Sequence, residues 1–426
     1  MRQWMVAAKK ADFYVIAEKF HVDPVVARII RNREVIGEKN IRIYLGGNLS
    51  DLSDPHQMKD MDRLVEILAQ KIRKQVHIRI IGDYDVDGVT SSHLFLTALR
   101  RVGAKVDVVI PHRIQDGYGL SLHLLQQAKE DGVDTILTCD NGIAAIDEIA
   151  WAKAQKMTVL VTDHHAVPFE EHEGRRTEKK SLADAVVNPH QQDCGYPYKE
   201  LCGAGVAWNV IRVLYENYDM DKREAEDLLD FVAMATVCDV MSLTGENRIL
   251  VKEGLKRIRH TKNIGLQALM QACNVQPENI SAYHFGYVLG PCVNATGRLD
   301  TARHALRLFE TGQETEAEEI ARDLVDLNQE RKELTLQGVE MAKKLCEEGG
   351  YENDPVLVLF LPDVHESIAG LIAGRIREMY NRPVFVLTRG EEGVKGSGRS
   401  TENYSMYENM CGCAELFTKF GGHPMA

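Results

Sequence analysis

The chain has 426 residues, of which 44% are hydrophobic and 27% are charged, and its formal net charge is −12. This composition is typical of a globular protein and excludes a largely disordered chain, and the length predicts two or three domains. The acidic charge argues against a protein that coats nucleic acid by bulk electrostatic attraction, although it allows a nuclease whose clustered carboxylates bind metal cations.

Residues 1–60 predict an N-terminal segment of mixed helix and loop. Lys9 and Lys10 interrupt its apolar start, so no signal peptide is expected, and no run in the chain reaches the ~18 apolar residues of a membrane span. The nine cysteines include no CxxC, and Cys411 and Cys413 are their one close pair. They favour core thiols in a reducing, cytoplasmic setting over a disulfide or zinc framework.

Between residues 61 and 162, short apolar runs alternate with helix-periodic segments. This alternation predicts an α/β fold, a parallel sheet with helices on both faces. The predicted strands are 77–81, 105–110, 134–138 and 158–162, and the predicted helices are 61–74, 89–101, 121–130 and 144–154. Residues 200–275 are expected to be largely helical.

The second half of the chain predicts a long helix and a smaller α/β unit. Residues 314–348 are heavily charged and helix-periodic, a pattern that fits a solvated helix face or a connector between domains. Strands at 356–361 and 383–388 flank a helix at 367–380. The expected organisation is an N-terminal segment (1–60), a catalytic parallel-sheet domain (61–312), a connecting helix (313–350) and a smaller, truncated C-terminal domain (351–426).

Acidic and histidine side chains follow three of the predicted strands. In chain order they are Asp83, Asp85 and Asp87 in GDYDVDG, Asp140 in TCDNG, and Asp163, His164 and His165 in TDHH. Ligands of open parallel sheets bind at the carboxyl ends of the strands, so these side chains are expected to converge. A single Asp at such a position is commonly a helix N-cap, but caps need neither three acids in five residues nor a His-His pair.

The residue types at these strand ends favour a divalent metal site. Packed carboxylates repel one another unless a cation compensates, and oxygen ligands with one or two imidazoles suit Mg²⁺ or Mn²⁺. Two such ions activate water and stabilise the leaving oxygen of a phosphoryl group. A later acid, Asp239, follows the apolar Val237 and Cys238. Taken alone, it indicates a helix cap or an acid at the edge of the core.

These motifs resemble those of a known superfamily. DYDVDG, TCDNG, DHH and Asp239 are similar to the motif series of the DHH phosphoesterases, and the three-Asp first motif resembles the RecJ exonuclease family in particular. The resemblance runs from about residue 20 to 426 and includes, among other segments, VNPH (187–190), CGAGVA (202–207), NATGR (294–298), GSGRS (396–400) and GGH (421–423). It implies a DHH domain joined by a long helix to a DHH-associated domain.

The resemblance also implies an activity and partners. RecJ proteins are single-stranded-DNA-specific 5′→3′ exonucleases that release mononucleotides by two-metal hydrolysis in DNA repair and recombination. It implies two Mn²⁺ or Mg²⁺ ions as cofactors, single-stranded DNA as substrate, and a helicase or single-strand-binding protein as partner, with no membrane. Such proteins typically continue into an OB-type domain that grips single strands, and no such region is present here, so weaker processivity is expected.

Residue by residue, the resemblance implies two sets of functional side chains. The implied metal ligands are Asp85, Asp87, Asp140, His164 and Asp239, with Asp140 as the bridge, and Asp83, Asp163 and His165 orient them or ligate occasionally. The implied phosphate-binding residues are Arg113, Asn294, Arg298, Ser397, Arg399 and His423. On sequence alone each of these arginines is more commonly an exposed surface residue, and the resemblance reverses that interpretation; a terminal phosphate does need planar, bidentate donors. The amides of KGSG, before Arg399, are further expected to form an anion-binding nest.

Two other functions remain open at this point. The first is a short-oligonucleotide or cyclic-dinucleotide phosphodiesterase of the same superfamily, which the absence of a strand-gripping domain favours. The second is a noncatalytic replication scaffold that keeps this fold. Scaffolds of that kind lose metal ligands, whereas every expected ligand is present in this chain.

Overall fold

The computed structural model describes residues 9–113, 116–117, 119–172, 175–351, 354–390 and 393–418. The chain forms two compact units: residues 1–293 with 302–321, and residues 294–301 with 322–426. Two helices run through this division, and each unit is described by itself below. Among the described residues, no helix combines the length and the apolar character that crossing a membrane requires.

A five-stranded parallel sheet is the centre of the first unit, with strand order β2-β1-β3-β4-β7. Its strands are β1 (Ile78–Ile81), β2 (Val106–Val109), β3 (Thr135–Cys139), β4 (Thr158–Thr162) and β7 (Ala185–Val187). The chain steps from β1 to β2 on one side and then to β3 on the other, so the order reverses beside β1. Ligands bind at such a reversal in open α/β sheets.

Helices cover this sheet and fill the rest of the first unit. The first group is α1 (Phe13–Phe20), α2 (Pro24–Asn32), α3 (Glu38–Gly46), α4 (Met61–Arg73), α5 (Val86–Arg101), α6 (Leu122–Glu130) and α7 (Ile146–Ala154). The second group is α8 (Gly203–Asn217), α9 (Lys222–Glu226), α10 (Leu229–Cys238), α11 (Gly245–Arg257), α12 (Ile264–Ala272), α13 (Ala282–His284) and α15 (Arg303–Glu310). Helices α5, α8 and α10 are buried almost throughout, because their sequences are apolar or small on every face.

The second unit is a three-stranded sheet with helices packed on it. Its strands are β8 (Leu357–Phe360), β9 (Val384–Gly390) and β10 (Gly393–Arg399), in the order β10-β9-β8, and its helices are α17 (Ala369–Tyr380) and α18 (Met406–Cys411). Helices α14 (Gly290–Leu299) and α16 (Glu314–Gly349) run through the division between the units. The apolar faces of β8, β9, α16 and α17 form its core.

The fold class is confirmed: a parallel α/β unit, a long helix and a smaller α/β unit. The sequence prediction missed four strands. Two of them, β5 (Phe169–His172) and β6 (Arg175–Glu178), pair only with each other and are rich in charged residues. The short β7 has only three residues, and β10 (GVKGSGR) is rich in glycine, so neither has the β-branched run that marks a strand.

Candidate functional site

The register of the parallel sheet places three loops side by side. Ile81 of β1 lies opposite Thr138 of β3, and Cys139 of β3 lies opposite Thr162 of β4. Asp140 and Asp163 are the residues that directly follow Cys139 and Thr162. The loops after β1, β3 and β4 therefore leave the sheet at one edge, beside the reversal of strand order.

All seven side chains of the predicted catalytic set meet at this edge. They form three overlapping groups in which the ligand atoms lie within 4.8 Å of one another: Asp83, Asp85 and Asp140; Asp87, His164 and Asp239; and Asp140, His164 and His165. Four of the seven are buried, with Asp83 and Asp87 each 1% exposed. Asp140 and His164 each belong to two of the groups, so these two side chains connect all three.

Helix α5 begins inside the first motif, at Val86, three residues earlier than the sequence predicts. Asp85 is its N-cap and accepts a hydrogen bond from the amide of Gly88 at 3.0 Å. The cap interpretation thus holds for this one acid, and it does not exclude a ligand role, because a carboxylate has further lone pairs. Asp87 lies in the first turn of α5.

Backbone amides at the start of α8 hold the carboxylate of Asp87. Gly203 N donates to its Oδ2 at 2.6 Å, and Ala204 N donates to its Oδ1 at 2.8 Å. The positive end of the helix dipole stabilises a carboxylate at this position. This anchor was not predicted from the sequence, although the small residues of CGAG, at the start of a buried helix, were a signal for a close backbone approach.

Asp163 does not belong to the three groups, and its carboxylate instead holds the surrounding backbone. It accepts hydrogen bonds from the amides of Ile143, His164 and His165, at 2.9, 2.7 and 3.1 Å. Its Oδ1 also lies 2.8 Å from Nδ1 of His165. Burial alone would raise the pKa of Asp163, but these hydrogen bonds and the charge of His165 lower it overall.

His165 is held as the charged partner of Asp163. Burial lowers its pKa, but the hydrogen bond to Asp163 and the surrounding carboxylates outweigh burial and raise the pKa to about 9. Asn188 donates to the backbone oxygen of His165 at 2.9 Å and so fixes this loop. In the absence of a cation, His165 therefore supplies a positive charge beside the carboxylates.

His164 presents an imidazole nitrogen that is suited to a metal. Its Nε2 lies 3.0 Å from Asp140 Oδ1, 3.6 Å from Asp239 Oδ2 and 3.7 Å from Asp87 Oδ2. None of these contacts has the geometry of a hydrogen bond, so this buried nitrogen has no hydrogen-bond partner among the described residues. Burial lowers the pKa of His164, which favours the neutral form that ligates metals.

The carboxylates repel one another. Burial and the charge of Asp85 raise the pKa of Asp83, and burial and the charge of Asp87 raise the pKa of Asp85. Burial and four neighbouring carboxylates raise the pKa of Asp140, and burial with Asp87 and Asp85 raises the pKa of Asp239 to about 8. Such a set must take up protons or bind cations, so the donor set fits two hard divalent ions.

We expect Mn²⁺ binding to strengthen as pH rises from about 6 to 8. In the metal-free chain, Asp239 keeps its proton up to its pKa of about 8, and a cation must displace that proton. One displaced proton lowers the Kd about tenfold per pH unit. Calorimetric titrations in two buffers of different ionisation enthalpy measure both the Kd and the protons released. A Kd that does not change with pH, with no proton release, would contradict these raised pKa values.

Asp140 has a left-handed backbone, with φ of 62°. Few residue types adopt this conformation, and Asp and Asn are among those that tolerate it. It directs the chain from β3 into the buried Asn141, whose Nδ2 donates to the backbone oxygens of Ile81 and Cys139. The turn thereby ties the ends of β1 and β3 together and fixes the Asp140 carboxylate.

Arg113 is the predicted phosphate-binding residue of the first unit. Its guanidinium lies 4.7 Å from the centre of the Tyr84 ring, within the first motif. Its positive charge opposes the rise in the pKa of Asp83. Arg113 is thus next to the carboxylate cluster. The neighbouring residues 114, 115 and 118 lie outside the described part of the chain.

Three further predicted residues meet within the second unit, around the start of α17. Arg298 donates through Nη1 to the backbone oxygen of Ser367 at 2.7 Å. Arg399 Nη1 lies 3.3 Å from Ser397 Oγ. A Cβ added at Gly370 would lie 2.7 Å from both Arg399 Nη2 and Ser397 Oγ, so both side chains contact the first turn of the helix. Guanidinium groups, a hydroxyl and a helix N-terminus are the donors that commonly bind anions.

The predicted nest before Arg399 is wrong. Residues 393–399 form strand β10, and their backbone pairs with β9 from Gly390 to Val384. A nest needs a turn-like backbone, whereas these residues are extended. Asn294 lies in α14, one turn before Arg298. His423 lies outside the described residues.

Comparisons with known proteins agree with this geometry. The model of the DHH family, N-terminal domain, matches residues 77–236, and that of the DHHA1 domain matches residues 353–426. The single-stranded-DNA-specific exonuclease RecJ of Haemophilus influenzae is 35% identical over 95% of this chain and 71% of its own length.

Two solved structures are also similar. A crystal structure of exonuclease RecJ bound to manganese has a TM-score of 0.73 at 32% identity and covers 86% of this chain and 89% of its own. RecJ from Thermus thermophilus in complex with Mg²⁺ has a TM-score of 0.74 at 28% identity, over 97% of this chain and 55% of its own. The present chain therefore spans about half of the Thermus protein.

Proposed function

The chain belongs to the RecJ family of exonucleases, and from that premise we propose that it hydrolyses single-stranded DNA from the 5′ end and releases mononucleotides. The observation that carries this proposal is the meeting of five carboxylates and two histidines at one edge of the sheet, with ligand atoms within 4.8 Å in each group. A noncatalytic scaffold has no need to keep such a mutually repelling set. The proposed role is in DNA repair and recombination.

Five residues would hold two divalent cations, Mn²⁺ or Mg²⁺: Asp85, Asp87, Asp140, His164 and Asp239. When bound, such ions activate water and neutralise charge on the leaving oxygen. The chain's own residues set the geometry. The amides of α8 orient Asp87, the left-handed turn orients Asp140, and Asp163 holds His165 in its charged form beside the cluster.

The proposed site for the terminal phosphate is the set around the start of α17. In the second unit, Ser397 and Arg399 lie against Gly370, and Arg298 donates to Ser367 just before the helix. Bidentate donors and helix amides suit a phosphate monoester. We propose that this set binds a phosphate group of the strand. Arg113, beside Asp83, would contact the phosphate nearest the cations.

A helicase or single-strand-binding protein that supplies single strands is the partner we propose. The cytoplasm is the proposed compartment, because all nine cysteines are thiols and none forms a disulfide.

End-labelled oligonucleotides test the proposed function. A single strand labelled at either end is incubated with the chain and Mn²⁺ or Mg²⁺, beside a blunt duplex of the same sequence. Metal-dependent release of the 5′ mononucleotide from the single strand is the expected result. Turnover limited to di- to pentanucleotides would support the short-oligonucleotide phosphodiesterase instead, and rapid digestion of the duplex would contradict the proposal.

Replacement of Gly370 with Ala tests the phosphate set. The added methyl group would lie 2.7 Å from Arg399 Nη2 and Ser397 Oγ, so both groups must move. Loss of one charge-assisted contact costs about 1.5–3 kcal/mol, so we expect KM for a 5′-phosphorylated strand to rise about tenfold or more. Gly374→Ala in the same helix is the control, because its Cβ would meet nothing within 4 Å. Equal KM values for the two variants would exclude this set as the phosphate site.

A further inference from the structure

Two tyrosines of the first unit have exposed, stacked rings. Tyr283 is 63% exposed and Tyr287 is 73% exposed. Their ring centres lie 5.1 Å apart, with 23° between the ring planes. Exposed aromatic rings present flat faces on which a planar group can stack.

The segment that carries the rings is rigidly anchored. Tyr287 lies in a π-helical turn, Phe285–Leu289, whose first and last residues are fully buried. π-helical turns occur frequently at functional sites. Before it, Ser281 caps the turn that holds Tyr283: the Ser281 amide donates to Nδ1 of His284 at 3.2 Å, and its hydroxyl lies 3.0 Å from that nitrogen. The backbone that carries the two rings is therefore held in place.

The same segment packs against the end of α10, next to Asp239 of the carboxylate cluster. Cys238 Sγ lies 3.3 Å from the backbone oxygen of Phe285. A Cβ at Gly290 would lie 2.3 Å from Cys238 Sγ, so the backbones approach closely. The residue that follows Cys238 is Asp239, a member of the carboxylate cluster. The tyrosine pair thus belongs to a segment that contacts the residue next to Asp239.

We propose that Tyr283 and Tyr287 bind bases of the single strand by stacking, beside the catalytic centre. This inference rests on the proposed function and specifies how the single strand is bound. Every base has a flat aromatic face, so stacking suits an enzyme that accepts any sequence. Stacking also supplies affinity that the acidic carboxylate cluster cannot supply by charge, and this affinity is nearly independent of salt.

The test compares Tyr283→Leu/Tyr287→Leu with Tyr283→Phe/Tyr287→Phe on a long single strand. We expect the Leu variant to raise KM at least about fivefold, the lower limit for one lost stack, with kcat unchanged. The Phe variant should restore KM to within about twofold, because stacking needs the ring and not the hydroxyl. Tyr14→Leu, which removes a tyrosine that is 78% exposed in α1, is the matched control and should change nothing.

Two further substrates separate this inference from the proposed function. A strand of abasic sites has no bases to stack, so the unsubstituted chain should show the raised KM of the Leu variant. The p-nitrophenyl ester of thymidine 5′-phosphate tests the catalytic centre alone and should be hydrolysed equally by all variants. Normal cleavage by the Leu variant, or no rescue by Phe, would overturn the stacking role alone. If the unsubstituted chain neither cleaves nor binds the strand, the proposed function fails as well.

Discussion

Replacement of Asp140 with Asn is expected to reduce kcat on single-stranded DNA by about three orders of magnitude or more, because a bridging carboxylate that holds two ions supplies several kcal/mol of transition-state stabilisation. Asn keeps the size of the side chain and tolerates the left-handed φ of 62° at this position. The backbone should therefore be unchanged. A digestion time course with Mn²⁺ measures the loss.

The same substitution should stabilise the metal-free chain. Burial and neighbouring carboxylates raise the pKa of Asp140, so the folded chain binds protons that the unfolded chain releases. Stability then falls as pH rises through the raised pKa values, and Asn removes one contributor to this loss. We expect the Tm of the variant in a metal chelator to be higher by at least about 2 °C, with the difference growing toward pH 8. Added Mn²⁺ should raise the Tm of the unsubstituted chain only.

Asp134→Asn is the control for this experiment. Asp134 precedes the same strand, β3, at its opposite end and pairs with Lys71. Its loss should leave kcat and the Mn²⁺ response unchanged. A fully active Asp140→Asn variant would contradict the role of Asp140 in binding the catalytic cations. A variant that is destabilised without metal would contradict the mutual repulsion of the carboxylates.

Replacement of Gly203 with Ala is expected to reduce kcat about 100-fold, although residue 203 itself binds no metal. The added Cβ would lie 2.6 Å from Asp140 Cβ and 2.7 Å from Asp140 Oδ1, and the amide of Gly203 holds Asp87. The methyl group must displace one or both carboxylates, and a misplacement of about 1 Å at a reacting centre costs on the order of 100-fold in rate. Overpacking should also lower the free energy of unfolding by about 1–3 kcal/mol.

Gly205→Ala in the same helix separates local geometry from helix propensity. Its Cβ would meet only the side chain of Leu201, at 3.3 Å, which can shift slightly. Ala favours a helix over Gly by up to about 1 kcal/mol, so this variant should keep its activity and lose no stability. Equal activity of Gly203→Ala and Gly205→Ala would contradict the close approach of α8 to the cluster.

The part of the site at the strand ends could be predicted from the sequence because it depends on the order of residues within each strand and the loop that follows it. Apolar runs set the strands, parallel strands end at one edge, and the acids follow the strands directly. Asp83, Asp140 and His164 therefore meet for reasons that are visible in the sequence. The confirmed fold class follows from the same alternation of strands and helices.

The remaining parts depend on tertiary packing, which a linear pattern does not encode. Asp239 reaches the cluster because α10 packs beside α5, and residue reasoning alone indicated only a cap or a core-edge acid. Asp87 is held by backbone amides, which every sequence contains, so the small residues of CGAG signalled a close backbone approach without identifying its partner. The glycines before Arg399 pointed to a nest, but pairing with β9 overrode that local preference.

The most direct test of the proposed two-metal centre is a crystal structure with Mn²⁺, with anomalous diffraction measured at the manganese edge. We predict two anomalous peaks about 3.5–4 Å apart at the carboxyl end of the sheet, both in contact with Asp140 and sharing Asp85, Asp87, His164 and Asp239 as ligands. No peak at this edge, or peaks that Asp140 does not contact, would contradict the assignment of the cluster as a two-metal catalytic centre.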